Sequence, residues 1–205
     1  MIVVVDYGLG NLFSVKKALE ALGAPVTVSS DPDVVLAAER IILPGVGAFG
    51  DGMRNLKERK LIPALCESVL ERGIPFFGIC LGMQLLAERG TEYGEHNGLG
   101  WIGGAVAKVN IADKGLKIPH IGWNQIIFKK EHHIFNGLKP LSDFYFVHSY
   151  EFQPSDSQYL LAVSQYGKEI TAAVGRKNIV GTQFHPEKSQ DNGLKLLENF
   201  ISWKP

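Results

Sequence analysis

A cysteine placed between a buried strand and a helix constrains this chain more than any other feature. The apolar run at residues 74–79 predicts a buried strand, and the spacing of leucines in residues 81–88 predicts a helix. Cys80 lies on the turn between them, with Gly78 and Gly82 two residues away on either side. This is the nucleophile-elbow pattern, with cysteine in place of serine. The glycines allow a sharp turn without Cβ clashes, and a helix N-terminus favours the thiolate form of the sulfur.

An inert, buried cysteine is the alternative interpretation of Cys80, and the two flanking glycines argue against it. The backbone N–H of Leu81 is expected to point to the place where an oxyanion would form. Cys66, by contrast, shares a predicted helical face with Ile62 and Val69, so it is expected in the core. Two cysteines in 205 residues do not make a disulfide framework, and they suit a reduced, cytoplasmic setting.

Length and charge exclude several function classes. A chain of 205 residues suits one domain, and its 21 basic and 21 acidic residues give no indication of nucleic-acid or membrane-surface binding. Met1 leads directly into an apolar strand, so we expect no signal peptide. We also expect no membrane span, since no apolar run approaches the roughly 18 residues that one needs.

Strands and helices alternate in the first part of the chain. Strands are predicted at residues 2–5, 26–28, 40–43 and 74–79, and helices after Asn11 and from about Ile62 to Arg72. This alternation predicts a mostly parallel central sheet with helices on its faces. Because functional residues in such sheets lie at the carboxyl ends of strands, we expect residues 6–11, residues 44–47 and Cys80 at one edge.

The glycine-rich segment at residues 44–50 is the second candidate functional stretch. As a loop after a strand, it could direct a second backbone N–H at the reacting carbonyl, although an ordinary turn is the alternative. Gly45 and Gly47 would allow the peptides around Val46 to rotate at low cost. A phosphate loop at residues 8–10 is disfavoured, because the third glycine and the acidic partner of that motif are missing.

Short strands dominate the second half of the chain. They are predicted at residues 105–109, 126–128, 144–148, 159–163 and 170–174, after a loop-like segment at residues 91–104. This pattern predicts an antiparallel layer added to the parallel sheet. The adjacent His132 and His133 could suggest a metal site, but no cysteine or carboxylate set at ligand spacing accompanies them, so none is predicted.

A candidate base follows near the C-terminus. Residues 179–185 predict a short strand that ends at His185, where the imidazole could deprotonate Cys80 and later protonate a leaving amine. Glu187 lies two residues on and in extended backbone would project to the same side, where it could orient the imidazole. A structural histidine is the alternative, and the chain order Cys, His, Glu with Pro186 between the last two favours catalysis.

Together, residues 78–84, 44–47 and 185–187 resemble the triad-type (class I) glutamine amidotransferases. More narrowly, a set of segments resembles the glutaminase subunits of imidazole glycerol phosphate synthase, an enzyme of histidine biosynthesis; they are residues 6–12, 44–50, 122–124, 148–150 and 181–189. The resemblance covers essentially the whole chain. It implies the flavodoxin-like class I amidotransferase fold in one glutamine amidotransferase type-1 domain over residues 1–205.

The resemblance implies hydrolysis of L-glutamine to glutamate and ammonia through a thioester on Cys80. Ammonia would pass to a separate cyclase subunit with a (β/α)8 barrel, which makes imidazole glycerol phosphate and aminoimidazole carboxamide ribonucleotide. The implied roles are catalysis by Cys80, His185 and Glu187, an oxyanion hole at Val46 and Leu81, glutamine binding near Gly45, Gln84 and Ser149, and a cyclase interface beside the ammonia path at Tyr145 and Lys188. It implies no metal or organic cofactor.

Other functions remain open at this point. One is the glutaminase component of another amidotransferase, of the anthranilate or GMP synthase type, or a cysteine hydrolase without an ammonia acceptor. Another is a binding or regulatory module with an inactive site. The intact set of Cys80, His185 and Glu187 argues against the module, and residues 6–11 and 44–50 favour the imidazole glycerol phosphate synthase type.

Overall fold

Strands and helices alternate early in the chain and strands dominate later in the computed structural model, which describes residues 1–111 and 115–205. The strands are β1 (Ile2–Val5), β2 (Val26–Ser29), β3 (Arg40–Gly45), β4 (Phe76–Cys80), β5 (Arg89–Gly90), β6 (His96–Asn97), β7 (Gly104–Lys108), β8 (His120–Phe128), β9 (Asp143–His148), β10 (Tyr150–Pro154), β11 (Leu160–Gln165), β12 (Glu169–Arg176) and β13 (Ile179–Thr182). The helices are α1 (Leu12–Ala21), α2 (Pro32–Leu36), α3 (Phe49–Glu58), α4 (Leu61–Cys66), α5 (Leu81–Gln84) and α6 (Gln190–Ser202), and α4 continues as a π-helical turn over Glu67–Glu71.

Most of the strands form one mixed sheet in the order β2-β1-β3-β4-β13-β12-β11-β8-β9. The pairs from β2 to β13 are parallel, and those from β13 to β9 are antiparallel. The predicted α/β fold is therefore confirmed. Several of the predicted antiparallel strands extend the parallel sheet itself, whereas β7 joins a smaller sheet in the order β10-β7-β5-β6.

The hydrophobic core has one part on each face of the large sheet. Along β1, Val3 belongs to one cluster of buried residues and Ile2 to the other, as expected when alternate side chains point to opposite faces. Leu56 of α3 lies in the first cluster, together with side chains of α4. Val15 of α1 and Phe200 of α6 lie in the second. Both faces of the parallel strands are thus covered by helices, as parallel sheets require.

The segment at residues 44–50 is not one loop. Pro44 and Gly45 are the last residues of β3, and α3 already begins at Phe49. Helix α3 was not predicted, because its apolar positions are sparse and it contains two glycines. The helix nevertheless buries Phe49, Gly52 and Leu56, a spacing that places them on one face.

The helix after Cys80 is shorter than predicted, since α5 ends at Gln84. The carbonyls of Leu85 and Leu86 accept hydrogen bonds from backbone N–H groups of the segment at residues 99–102. Those bonds replace the next helical turn. The loop at residues 91–104, which carried little signal by itself, therefore decides where α5 ends.

Three further differences concern the second half of the chain. Strand β8 begins at His120, earlier than predicted, because residues 120–125 pair with β9. Strand β10 was not predicted at all. The strand expected to end at His185 ends at Thr182, and Pro186–Lys188 form a 3₁₀ turn. Among the described residues, no helix is both long and apolar enough to cross a membrane.

Candidate active site

Cys80 stands at the carboxyl end of β4 with an unusual backbone conformation. Its φ is 54° and its ψ is −108°, in a region that side-chain-bearing residues rarely occupy. A Cβ on Gly78 would lie 2.5 Å from the carbonyl oxygen of Gly82, and a Cβ on Gly82 would lie 1.8 Å from that of Leu43. Both glycines are therefore required by close backbone contacts around the turn.

His185 and Glu187 form a buried pair. The Nδ1 atom of His185 lies 2.8 Å from Oε1 of Glu187, and both side chains are 1% exposed. A carboxylate accepts, so Nδ1 carries the hydrogen, and in the neutral ring Nε2 is then the basic nitrogen. Within the described part of the chain Nε2 has no hydrogen-bond partner. The imidazole therefore has its acceptor nitrogen available for a proton.

The electrostatics link His185 to Cys80. Burial by itself lowers the pKa of His185, but the negative sulfur of Cys80 and the carboxylate of Glu187 outweigh it and raise the pKa to about 10. A proton that leaves the Cys80 thiol is therefore held well on the imidazole. A basic imidazole beside a thiol is the arrangement that general-base activation of a cysteine nucleophile requires.

The contact between His185 and Glu187 is not made in the way that the strand pattern predicted. His185 itself has extended backbone, but the chain does not continue as a strand, because Pro186 and Glu187 belong to a 3₁₀ turn. The backbone N–H of His185 donates to the carbonyl of Tyr145 on β9, over 2.9 Å. Ser189 Oγ donates to the His185 carbonyl over 2.6 Å and closes the turn. This turn places the carboxylate beside Nδ1.

A cavity of about 430 Å³ opens beside Cys80. Five of the predicted site residues line it; they are Cys80 itself, Val46, Leu81, Gln84 and Ser149. Gly45 is not among the lining residues. A Cβ there would lie 2.1 Å from the hydroxyl of Tyr7 and 2.8 Å from the Cβ of Leu81, so Gly45 allows β3 to pack closely behind the nucleophile turn.

Sequence reasoning missed an acidic residue of this cavity. Glu92 lines the wall, and its Oε2 accepts the backbone N–H of Phe49 at the start of α3 over 3.0 Å. Tyr93 lies next to it and is 88% exposed. Their segment was interpreted as a glycine-rich loop, and nothing local in the sequence identifies a carboxylate that lines the same cavity as Cys80.

A second missed residue, His148, lies in the cavity wall and belongs to a chain of hydrogen bonds. Its Nδ1 lies 2.8 Å from the carbonyl of Tyr150, so Nδ1 donates and Nε2 accepts. His120 Nδ1, 3.0 Å away, must then donate to that Nε2, and His120 Nε2 accepts from Asn124 Nδ2 over 3.2 Å. Burial lowers the pKa of both histidines to about 4. Both are therefore neutral at physiological pH, each in a defined tautomer.

The two predicted interface residues lie together next to the triad. Lys188 is exposed, and its Nζ lies 5.8 Å from the ring centroid of the half-buried Tyr145. The exposed Trp123 packs edge-on against that ring, with 6.1 Å between the centroids. Because the carbonyl of Tyr145 also accepts the N–H of His185, this surface is joined directly to the His185–Glu187 pair.

The described residues contain no group of three or more His, Cys, Asp or Glu side chains that could hold a metal ion. His132, one of the two adjacent histidines, accepts the N–H of Ile134 on Nδ1 over 3.3 Å and packs edge-on against Trp203. Cys66 is partly buried and packs against the first core cluster, as expected.

Comparison with known proteins identifies similar sequences along nearly the whole chain. Residues 3–203 match the model of the class-I glutamine amidotransferase family. The imidazole glycerol phosphate synthase subunit HisH of Rhodospirillum rubrum is 50% identical, over 100% of this chain and 99% of its own length. The protein of the same name from Aquifex aeolicus is 53% identical, over 97% of this chain and 94% of its own length.

Solved structures support the fold. A glutamine amidotransferase superposes with a TM-score of 0.72 at 21% identity, over 98% of this chain and all of its own. A second glutamine amidotransferase, from Thermotoga maritima, gives 0.66 at 18% identity, over 98% of this chain and 95% of its own. At these identities the likeness concerns the fold alone.

Proposed function

Because the chain belongs to the class-I glutamine amidotransferases, we propose that it is the glutaminase subunit of imidazole glycerol phosphate synthase and acts in histidine biosynthesis. The name of its relatives, 47–53% identical over nearly their full length, supports the specific assignment. The buried arrangement of Cys80, His185 and Glu187 beside a cavity carries the chemical part of the proposal. The whole chain, residues 1–205, then forms one glutamine amidotransferase type-1 domain.

In the proposed reaction the Cys80 thiolate attacks the γ-carbonyl carbon of L-glutamine. The backbone N–H groups of Leu81 and Val46 stabilise the resulting oxyanion. The His185 imidazolium, oriented by Glu187, gives its proton to the leaving nitrogen, so that ammonia departs and a γ-glutamyl thioester remains. His185 then takes a proton from water, whose oxygen attacks the thioester and releases glutamate and the thiolate.

The cavity suits the substrate. A volume of about 430 Å³ falls within the range of small-molecule sites. Glu92 supplies a carboxylate for the α-ammonium group of glutamine, on the wall that also holds Gln84 and Ser149. Gly45 contributes indirectly, because its lack of a side chain lets Tyr7 and Leu81 pack against the oxyanion region.

The subunit name of the relatives implies a complex with a partner. We propose that the partner is a cyclase with a (β/α)8 barrel, and that it binds over Tyr145 and Lys188 and receives the ammonia there. The product would be imidazole glycerol phosphate, formed together with aminoimidazole carboxamide ribonucleotide. The reaction uses no metal or organic cofactor in this subunit, and the complex acts in the cytoplasm.

Reconstitution tests the proposal. The chain is mixed with the cognate cyclase and the cyclase substrate N′-[(5′-phosphoribulosyl)formimino]-5-aminoimidazole-4-carboxamide ribonucleotide, and imidazole glycerol phosphate is measured with glutamine or with ammonium salt. The parent should support both reactions. Cys80→Ala should support the ammonium reaction alone, and Cys66→Ala should resemble the parent. Glutamine hydrolysis without product in the presence of the cyclase would instead favour another amidotransferase, of the anthranilate or GMP synthase type.

A further inference from the structure

The buried side chain of Gln183 contacts the sulfur of Cys80. Gln183 follows β13, two residues before His185, and is fully buried. Its Nε2 lies 3.6 Å from Sγ of Cys80. The mechanism above does not use this residue, although it touches the atom that attacks the substrate.

The orientation of this amide follows from a backbone carbonyl. Gln84 Nε2 lies 3.0 Å from the carbonyl oxygen of Tyr150 and 3.0 Å from Oε1 of Gln183. Because a carbonyl can only accept, Gln84 must present its NH₂ group there, and the second hydrogen of that group goes to Gln183. Rotating the Gln183 amide by half a turn would set two NH₂ groups against each other. Its own NH₂ group therefore faces the sulfur.

We propose that Gln183 is a catalytic residue of the glutaminase reaction, which donates a hydrogen bond from Nε2 to the thiolate of Cys80. This inference rests on the proposed function, in which Cys80 is the nucleophile. A hydrogen bond to the charged form of a buried group favours that form. His185 loses its positive charge when it protonates the leaving nitrogen, whereas the neutral donor on Gln183 stays in place.

The donor acts again in the second half of the reaction. When water attacks the thioester, a carbon–oxygen bond forms, the carbon–sulfur bond breaks, and the electron pair of that bond returns to the sulfur. At that moment the sulfur becomes negative once more, and Gln183 Nε2 is positioned to receive it. Gln84 and Tyr150 act as positioning residues, because they reach the sulfur only through Gln183.

The test measures how readily the sulfur of Cys80 ionises. In the full-length chain with Cys66→Ala, the rate of alkylation of Cys80 by iodoacetamide is followed as a function of pH. The variants are Gln183→Met, which keeps the length of the side chain and removes the donor, and Gln183→Glu, which keeps an acceptor for Gln84 but brings a carboxylate to the sulfur. Thr182→Val is the matched control, since it removes a buried hydrogen bond to the Phe184 carbonyl in the same segment without touching Cys80.

The midpoint of the alkylation profile should move up by about one pH unit in Gln183→Met, which corresponds to about a tenfold lower rate below the midpoint. It should move further in Gln183→Glu and stay in place in Thr182→Val. A structural role alone would shift Gln183→Met no more than Thr182→Val, because each variant removes one buried polar group from the same segment. Superimposed profiles for the parent and Gln183→Met, or for the parent and Gln183→Glu, would overturn the proposal.

Circular dichroism would show whether substitution of Gln183 disturbs folding. A variant at another position tests the proposal independently if it does. Gln84→Met leaves Gln183 in place but frees its amide to rotate, so the midpoint should move in the same direction by a smaller amount; no movement would count against the proposal. Alkylation needs neither glutamine nor the cyclase. A shifted profile in a chain that makes no imidazole glycerol phosphate would therefore overturn the proposed function and leave this contact standing.

Discussion

Among single residues, Cys80 has the most informative backbone conformation, because its φ is positive. With φ at 54° and ψ at −108°, the residue occupies a conformation that costs about 1–3 kcal/mol and persists only where its surroundings enforce it. Here the enforcement comes from Gly78 and Gly82, whose lack of side chains permits backbone contacts that a Cβ would block. The strain holds the sulfur at the end of a rigid strand, close to His185.

Substitutions at His185 and Glu187 should separate the base from the group that orients it. His185→Ala removes the proton acceptor and should lower kcat of glutamine hydrolysis in the complex by at least about 10⁴-fold. Glu187→Gln keeps a partner for Nδ1 and should cost less, although it also lowers the pKa of His185 by removing a negative charge. Equal losses in two folded variants would show that no such division of roles exists.

The two buried histidines, His120 and His148, predict acid sensitivity. Their folded pKa of about 4 lies below the usual 6.5, so between these values the unfolded chain binds protons that the folded chain does not. The free energy of unfolding therefore falls as the pH is lowered through this window. When the pH is lowered from about 6.5 to about 5, the free energy of unfolding of His120→Gln, measured by urea titration, should fall by about 1.5 kcal/mol less than that of the parent. His96→Gln, at a partly exposed position, is the control. An equally reduced loss of stability in that variant would show that His120 is not responsible for the acid sensitivity.

At the scale of elements, the segment between β3 and α3 decides the shape of the oxyanion region. Gly45 pairs with Cys80 at the ends of β3 and β4, so the residues that follow both strands meet at one edge of the sheet. Val46 is 40% exposed, and Gly47 has a φ of 109°, which glycine adopts without strain. Three residues therefore connect a buried strand to a helix, and Gly47 permits the peptides around Val46 to change orientation at low cost.

We hypothesise that the free subunit hydrolyses glutamine very slowly, because its Val46 N–H points away from the site. Binding of the cyclase, with the cyclase ligand present, would turn this N–H toward the site. Val46→Pro deletes this N–H. It should remove most of the activation of glutamine hydrolysis by the cyclase, about 10²- to 10³-fold, while the complex still uses free ammonia. Normal activation of Val46→Pro, or a free subunit already as fast as the complex, would contradict the hypothesis.

At the scale of the whole molecule, a surface patch connects the active site to the outside. The patch consists of Tyr145, Lys188 and Trp123, and Trp123 is 48% exposed. Exposed tryptophan and tyrosine side chains are typical of the residues that dominate protein–protein interfaces. Since the Tyr145 carbonyl accepts the His185 N–H, a partner that binds here would contact the catalytic turn through one residue.

Reversal of the charge at Lys188 should therefore weaken the complex. Lys188→Glu is expected to raise the Kd for the cyclase by about tenfold or more, as measured by calorimetric titration, because charges at interfaces govern complementarity. Lys204→Glu is the matched control. That exposed lysine lies beyond the far end of the 13-residue helix α6, about 20 Å from Lys188. Equal weakening in both variants would mean that net charge, and not the patch, is responsible.

Features that depend on neighbours along the chain were predictable before the structure was known. The strand before Cys80, the glycines around it, and the alternation of strands and helices are local patterns, so their periods and turn residues were sufficient to predict them. The order of Cys80, His185 and Glu187 also indicated a triad. The reason given for the last contact was nevertheless wrong, because a 3₁₀ turn and not an extended strand brings Glu187 to the imidazole.

Tertiary structure alone decided which distant residues surround the sulfur. Glu92 and His148 line the cavity, and Gln183 contacts the sulfur. These residues come from segments that meet only in the folded protein, and no spacing in the chain relates them to Cys80. The end of α5 and the start of β8 were likewise decided by backbone hydrogen bonds to segments far along the chain. Hydrogen-bond partners at long sequence separation leave no periodic trace, so these features required the three-dimensional structure.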